Sequence, residues 1–363
     1  MGTDLRVIRR RLLVAGIILA AGVLMAPAAA LAQRQRDVPR PGPLSAGVDL
    51  TRMQDRVLHG RPRAAMSAAR ARAAGHAYRT ADGQTVRVEV TPAYTPDAAR
   101  DKSLVDFLAS RLHGAELGAL RVYVGTPSEI GRLCGFQDAV ACYAADEERM
   151  YVPGEASHGI PIEYAMTHEY GHHIASWSDN DPWSALDWGP KRWSSHERVC
   201  AHVLDGRLFP GDQGDHYLDD PGEGWADAYA HYHYPQAPWQ FNSLLRPDAG
   251  AFRAIRRDVR HPWTGPRKRV FRGRLGPGRR ARRFRLRLRL DGDITLRLRG
   301  PRRADFNLVV RWRHELVART RRHGSRDAAD VGWCRASRTE VATITVVRRR
   351  GAGRFRLLTR FAG

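Results

Sequence analysis

The chain has 363 residues and a formal net charge of +22, carried by 60 basic residues, of which 57 are arginine and three are lysine (Lys102, Lys191 and Lys268). Residues 265–363 hold 30 basic and 7 acidic side chains, whereas the first 264 residues hold 30 against 31. The excess charge belongs to one segment, which excludes a uniformly basic nucleic-acid-coating protein and predicts at least two domains of different character. At 43% hydrophobic with nine tryptophans the chain can bury cores, which excludes global disorder and low-complexity architectures.

The N-terminus starts basic (Arg6, Arg9, Arg10, Arg11), continues as an apolar run from Leu12 to Ala26 and ends in Ala30-Leu31-Ala32. This is the layout of a signal peptide over 1–32 with cleavage after Ala32, because the apolar run is shorter than the roughly 20 residues a spanning helix needs. A soluble product that is secreted or otherwise extracytoplasmic, with no membrane contact after cleavage, is the expectation. Residues 33–80, rich in Arg, Pro and Ala, read as a linker or pro-segment. Four cysteines in an exported chain favour disulfides, and no C-x-x-C is present to suggest a cysteine-based zinc site. Cys134 and Cys142, eight apart, are read as one disulfide; Cys200 with Cys334 would tie two domains together, and sequence does not choose that pairing.

From Gln84 the pattern sharpens. Val86, Val88 and Val90 alternate with polar residues as a strand, 97–112 reads as an amphipathic helix, Arg121–Val124 as a strand, 126–133 as a helix and Met150–Val152 as a strand. A helix over 161–176 follows, opened by Pro161. These elements describe an α+β domain over 81–264. Its stretch 177–222 holds Trp177, Trp183, Trp188 and Trp193 and reads either as the wall of a substrate cleft or, the favoured reading, as a long irregular loop packed by tryptophans. Beyond it the period changes to two: Phe284, Leu286, Leu288 and Leu290 alternate with arginines, and further alternating runs at Thr295–Arg299, Phe306–Trp312, Glu340–Val347 and Phe355–Thr359 are separated by turn residues. Residues 265–363 thus read as an all-β antiparallel sandwich.

The chemistry lies in His168-Glu169-Tyr170-Gly171-His172, an H-E-x-x-H sequence on a helix. Residues four apart share one helix face, so both imidazoles can meet a single metal and Glu169 can reach a water held there. A catalytic zinc takes three protein ligands and keeps one position open. A metzincin continuation would need glycine at 175 and histidine at 178, where the chain has Ala175 and Ser178. Instead, Pro221-Gly222-Glu223-Gly224-Trp225-Ala226-Asp227 starts a second helix, with Glu223 placed to complete the metal shell. Asp227, one turn later, can orient a liganding histidine through its second ring nitrogen. Ala226 and Ala230 leave a narrow face for close packing on Gly171. Glu169 is the candidate general base, and among His231, Tyr229, Tyr232, His216 and Tyr217 the favoured oxyanion donor is His231. His173, about 100° round the helix from His172, should point away from the metal. The acidic cluster Asp212, Asp215, Asp219 and Asp220 lacks EF-hand spacing and reads as a solvated loop rather than a Ca2+ site.

With these residues in place, 120–235 resembles the gluzincin branch of the zincin metallopeptidases, in which H-E-x-x-H on one helix is followed by E-x-x-x-D on the next. The matched positions are His168, Glu169, His172, Glu223 and Asp227. The resemblance implies a zincin-like catalytic domain, one Zn2+, hydrolysis of protein or peptide substrates, and a substrate lying along an edge strand, here Arg149–Val152. The chain is also similar to bacterial secreted proteins that pair H-E-Y-G-H-H with an N-P-G-E-like turn, which here reads Asp220-Pro221-Gly222-Glu223. The last hundred residues resemble the bacterial pre-peptidase C-terminal domain through Leu290-Asp291-Gly292-Asp293, Ala304-Asp305-Phe306-Asn307-Leu308 and Gly351-Ala352-Gly353-Arg354-Phe355. Its outward arginines fit an anionic cell-wall polymer or polysaccharide, and no motif supports specific nucleic-acid binding. The competing expectation is a non-catalytic surface-binding protein on a retained zincin scaffold.

Overall fold

A computed structural model describes residues 53–60, 72–313, 315–335 and 340–363. The leader and most of the segment read as a linker or pro-segment lie outside the described residues. Two large hydrophobic cores organise the rest, one drawing residues from Met53 to Val259 and the other from Leu275 to Phe361, and a smaller third cluster lies around Tyr123, Ile130 and Tyr151. The first surrounds a mixed α+β layer, and the second fills an all-β sandwich.

The first sheet has six strands in the order β1-β5-β6-β4-β3-β2. These are β1 (Val57–Leu58), β2 (Ala74–Arg79), β3 (Thr85–Val90), β4 (Arg121–Gly125), β5 (Cys142–Ala144) and β6 (Arg149–Pro153). Pairs β3–β4, β4–β6 and β1–β5 are parallel, and β5–β6 and β2–β3 antiparallel. The alternating valines of β3 all point into the core, as their period requires. Strand β6, expected at an edge, lies inside the sheet between β5 and β4; the edge strand beyond β5 is β1. Val57–Leu58 and Ala74–Arg79, both within the segment expected as a linker or pro-segment, are thus strands of this sheet.

Helix α1 (Ala98–Ala109) is capped by Asp97, whose carboxylate accepts from the Ala99 and Arg100 amides. Helix α2 (Pro127–Cys134) starts on Thr126 and Pro127 and ends at Gly135, whose φ of 93° is the left-handed geometry that favours glycine at this position. Helix α3 (Ile162–Ser176) is buried along almost its whole length, so it reads as a central helix rather than an amphipathic one. The stretch expected as an irregular loop carries three short helices, α4 (Ala185–Trp188), α5 (Lys191–His196) and α6 (Val199–Leu204). Of its tryptophans, Trp193 is fully buried against Trp225, Trp183 stacks on Trp188, and Trp177 is exposed. Helix α7 (Pro221–His233) is capped by Asp220, with Pro221 in its first turn, and helix α8 (Ala249–Arg260) closes the layer. No helix of the described residues is long and apolar enough to cross a membrane.

The sandwich pairs one four-stranded antiparallel sheet, β11-β10-β13-β8, with another, β12-β9-β14-β7. Strands β8 (Ala281–Leu288), β9 (Gly292–Arg299), β10 (Asp305–Trp312), β13 (Glu340–Arg350) and β14 (Gly353–Phe361) follow the alternating runs of the sequence. Three more, β7 (Arg267–Leu275), β11 (Glu315–Arg319) and β12 (Arg326–Trp333), carry no comparable apolar alternation. Leu286, Leu288, Phe306, Leu308, Ile344 and Val346 point inward. The sandwich is joined to the first layer by a buried lysine. Lys191 Nζ donates to the carbonyls of Asp181 (2.8 Å), Asp291 (3.1 Å) and Asn180 (3.2 Å), and Trp263 Nε1 donates to the Ala362 carbonyl. Cys134 pairs with Cys142 at a Cα–Cα distance of 5.7 Å, and Cys200 pairs with Cys334 at 5.3 Å. The second pair does cross between the two layers, and two such pairs point to an oxidising compartment.

Candidate metal centre

Helices α3 and α7 cross at Gly171 and Ala226. A Cβ added at 171 would lie 2.8 Å from the Ala226 Cα, so only glycine permits this approach, and Trp225 Nε1 fixes it by donating to the Gly171 carbonyl at 2.8 Å. The close crossing brings Glu223, in the first turn of α7, against the imidazoles of α3.

His168 and His172 both turn Nε2 towards one point. Glu223 Oε2 stands 3.4 Å from the first and 3.2 Å from the second. A fourth group, Asp55, arrives from the residues just before β1, with Oδ2 at 3.3 Å from His168 Nε2 and 3.1 Å from His172 Nε2. One ligand atom from each of the four lies within 4.8 Å of the others, and all four side chains are buried. Among the described residues this is the group of His, Cys, Asp and Glu side chains placed to hold a metal. Ligands about 2.1 Å from a tetrahedral zinc stand about 3.4 Å apart, so the four separations of 3.1–3.4 Å have the size of a metal shell. The donor set of two imidazoles and two carboxylates suits a divalent cation of zinc's kind.

The electrostatics agree with that fit. Burial alone would lower the His168 imidazole, but the Asp55 charge, joined by the carboxylates of Asp227 and Glu223, raises it well above its ordinary value. His172 opposes its own burial in the same way and is raised to about 10, with Glu223 and Asp55 responsible. Burial would raise the Asp55 carboxyl; His168 and His172 overrule it and hold it well below the usual range. The carboxylates thus favour positive charge where the two Nε2 atoms converge, a charge that protons on the imidazoles or a cation in their place can supply.

Glu169 is fully buried, and neither of its oxygens meets a hydrogen-bond donor among the described residues. Burial, then the Asp55 charge, raises its carboxyl well above the ordinary value. Asp227 Oδ1 accepts from Tyr164 Oη at 2.5 Å and faces His168 Nδ1 at 3.8 Å, beyond hydrogen-bond length. Its charge bears on the imidazole from the side away from the cluster. His173 does point away: its Nδ1 accepts from Tyr143 Oη at 2.9 Å and its Nε2 donates to the Glu116 carbonyl at 2.8 Å. Burial holds it at about 4, so it is a neutral core histidine.

The expected oxyanion donor is not brought to the cluster. His231 lies eight residues beyond Glu223, about 12 Å along a helix rising 1.5 Å per residue, and its ring packs on Trp239 and Phe252. Tyr229 donates to the Leu112 carbonyl, Tyr232 packs on Phe252, and His216 is bound to Asp212. Tyr217 is the candidate that reaches the site, donating to Asp55 Oδ1 at 2.5 Å. In the acidic loop Asp220 accepts from the Gly222 and Gly211 amides, Asp219 accepts from Asn242, and Asp212 holds His216. No motif announces Asp55, because no spacing rule links a lone aspartate to a histidine 117 residues downstream. Compared with known protein families and with curated protein sequences, the chain matches no family model and no curated sequence.

Proposed function

We propose that the chain is a secreted, zinc-dependent metallopeptidase of the gluzincin type, in which His168, His172 and Glu223 hold the metal and Glu169 is the general base. The observation that carries this reading is Glu169 itself. A buried carboxyl without a partner costs on the order of 1–3 kcal/mol, a cost that a merely structural glutamate beside two imidazoles has no reason to bear. A zinc ion held there supplies a Lewis acid for the scissile carbonyl and makes water a nucleophile near neutral pH. The protein's own part is to hold Glu169 on the rigid α3, where its carboxylate takes the proton of the attacking water and passes it to the leaving amine. Tyr217 supplies a hydroxyl at the cluster that can donate to a developing oxyanion. The two cysteine pairs support an extracytoplasmic setting.

The test is hydrolysis of casein and of mixed peptides by the zinc-loaded chain beside Glu169→Gln, each also made in an Asp55→Asn background, with and without chelator. Cleavage that Glu169→Gln and chelator both abolish is the expected result. No cleavage above the Glu169→Gln level in either background sinks the enzymatic reading.

A second role rests on the sandwich. Arg283, Arg285, Arg311, Arg313 and Arg319 line a groove of about 720 Å³ on the outer face of the β11-β10-β13-β8 sheet. So dense a cationic face suits an anionic cell-wall polymer or polysaccharide, and it would deliver the peptidase to such a surface.

A further inference from the structure

A metal centre with four protein ligands is closed, whereas one that hydrolyses keeps a position free. Counting donors at this cluster therefore raises a question about Asp55. The other three, His168, His172 and Glu223, stand on two helices locked together at Gly171 and Ala226 within the core. Asp55 stands on a short segment leading into a two-residue strand at the sheet edge. Of the four, it is the one that can leave without dismantling the fold.

The segment is nevertheless seated on both sides. Along β5, the Val140 amide donates to the Gln54 carbonyl at 2.8 Å and the Tyr143 amide to the Arg56 carbonyl at 3.0 Å. Val57 and Leu58 then pair with Tyr143 and Ala144. From the opposite side, Gln213 Oε1 accepts from the Val57 amide at 3.0 Å, and Tyr217 holds Asp55 Oδ1. Arg56 lies over the Phe136 ring, and Met53 and Val57 are buried. The segment thus runs between the edge of β5 and the 213–217 loop and sends one carboxylate into the metal cluster, 3% exposed.

We infer that Asp55 is a fourth protein ligand of the metal and that Met53–Leu58 is an internal plug, which keeps this centre closed until Asp55 withdraws. The exchange is one of ligands only: Asp55 Oδ2 leaves, and the vacated position goes to water or to a substrate oxygen. The same movement uncovers the edge of β5, the strand next to the cluster that has backbone groups to offer an extended peptide. The ligand assignment stands on the cluster geometry alone, and the plug rests on the peptidase reading only for what it blocks.

The test uses the full chain loaded with Co2+ in place of zinc, because the visible spectrum of Co2+ reports its ligands directly. Acetohydroxamate, a small chelating anion, is titrated into wild type, Asp55→Ala and Asp55→Asn; the asparagine keeps the volume and the bond from Tyr217 if the alanine variant folds poorly. In wild type the bands stay in place as acetohydroxamate is added. In the variants the starting spectrum differs from wild type, acetohydroxamate shifts it, and zinc passes faster to a competing chelator. A wild-type spectrum that acetohydroxamate shifts as readily as it shifts the variants overturns the proposal, as do variants whose starting spectra match wild type. If the variants open spectrally yet hydrolyse no peptide, the peptidase reading fails while Asp55 stands as a ligand.

Discussion

Gly171 and Ala226 touch where the two helices that carry the candidate metal ligands cross, with room for no Cβ at position 171. Substituting Gly171→Ala adds a methyl group 2.8 Å from a backbone atom. The better helix propensity of alanine returns about 1 kcal/mol, and overpacking against an immobile backbone costs about 1–3 kcal/mol. The second effect wins, and it acts by pushing α7 away from α3. Glu223 then recedes from His172, so Gly171→Ala should lower the urea midpoint and also weaken zinc binding in a competition with a chromophoric chelator. Unchanged zinc affinity would show that the crossing does not set the cluster.

Asp227 lies beside His168 without touching the cluster, so any effect it has on a bound metal is predicted to run through that imidazole. Asp227→Asn keeps the size and the contact with Tyr164 but removes a charge that bears on His168 Nδ1 from 3.8 Å. Loss of such an orienting carboxylate typically weakens metal binding about 10–100-fold. Isothermal titration with zinc should read a drop of that order with an unchanged stoichiometry. A drop in stoichiometry instead of affinity would mean that Asp227 is needed for folding of α7.

How much of the fold and the cluster the sequence makes legible depends on the kind of constraint. His168 and His172 lie four apart, so their common face follows from the period alone, and Glu169, three residues before His172, flanks it. Glu223 is legible because Asp220 and Pro221 announce a helix start just ahead of it. Asp55 carries no such signal, since its place in the cluster comes from the tertiary path of Met53–Leu58, a six-residue piece without amphipathic period. For His231, periodicity gives the face of a helix and not how far along it the cluster lies. In the sandwich, β8 and β10 were legible from alternation, whereas β11 is exposed on nearly every residue and leaves no pattern to read.

Glu197 gives the fold a pH dependence separate from the metal. Burial, then the Asp248 charge, pushes its carboxyl from 4.5 up to about 9, and its Oε1 meets no hydrogen-bond donor among the described residues. The folded chain therefore keeps a proton there that the unfolded chain releases. Its contribution to stability is fully present below about pH 4.5 and is lost as pH rises through the window up to about 9. Glu197→Gln removes that loss. The variant should match wild type near pH 4.5 and exceed it by on the order of 2–4 kcal/mol near pH 8, read from urea unfolding at the two pH values. Parallel curves at both would show that Glu197 is solvated.

The arginine face offers a test of delivery that is independent of catalysis. Phe284 and Leu286 alternate on β8 with Arg283 and Arg285, so each arginine can be changed without disturbing the apolar side of the strand. Exposed charges act over about 10 Å at 0.1 M salt, and a polyanion laid in the groove meets several of them at once. The double variant Arg283→Ser, Arg285→Ser should therefore leave heparin-agarose at lower salt than wild type, with a shallower dependence of affinity on salt. Lys102 is the control: it is paired with Asp106 on α1, in the other core layer, so Lys102→Ser should elute with wild type. Equal shifts in the double variant and the control would mean that net charge governs retention, and the groove would lose its claim as a binding surface.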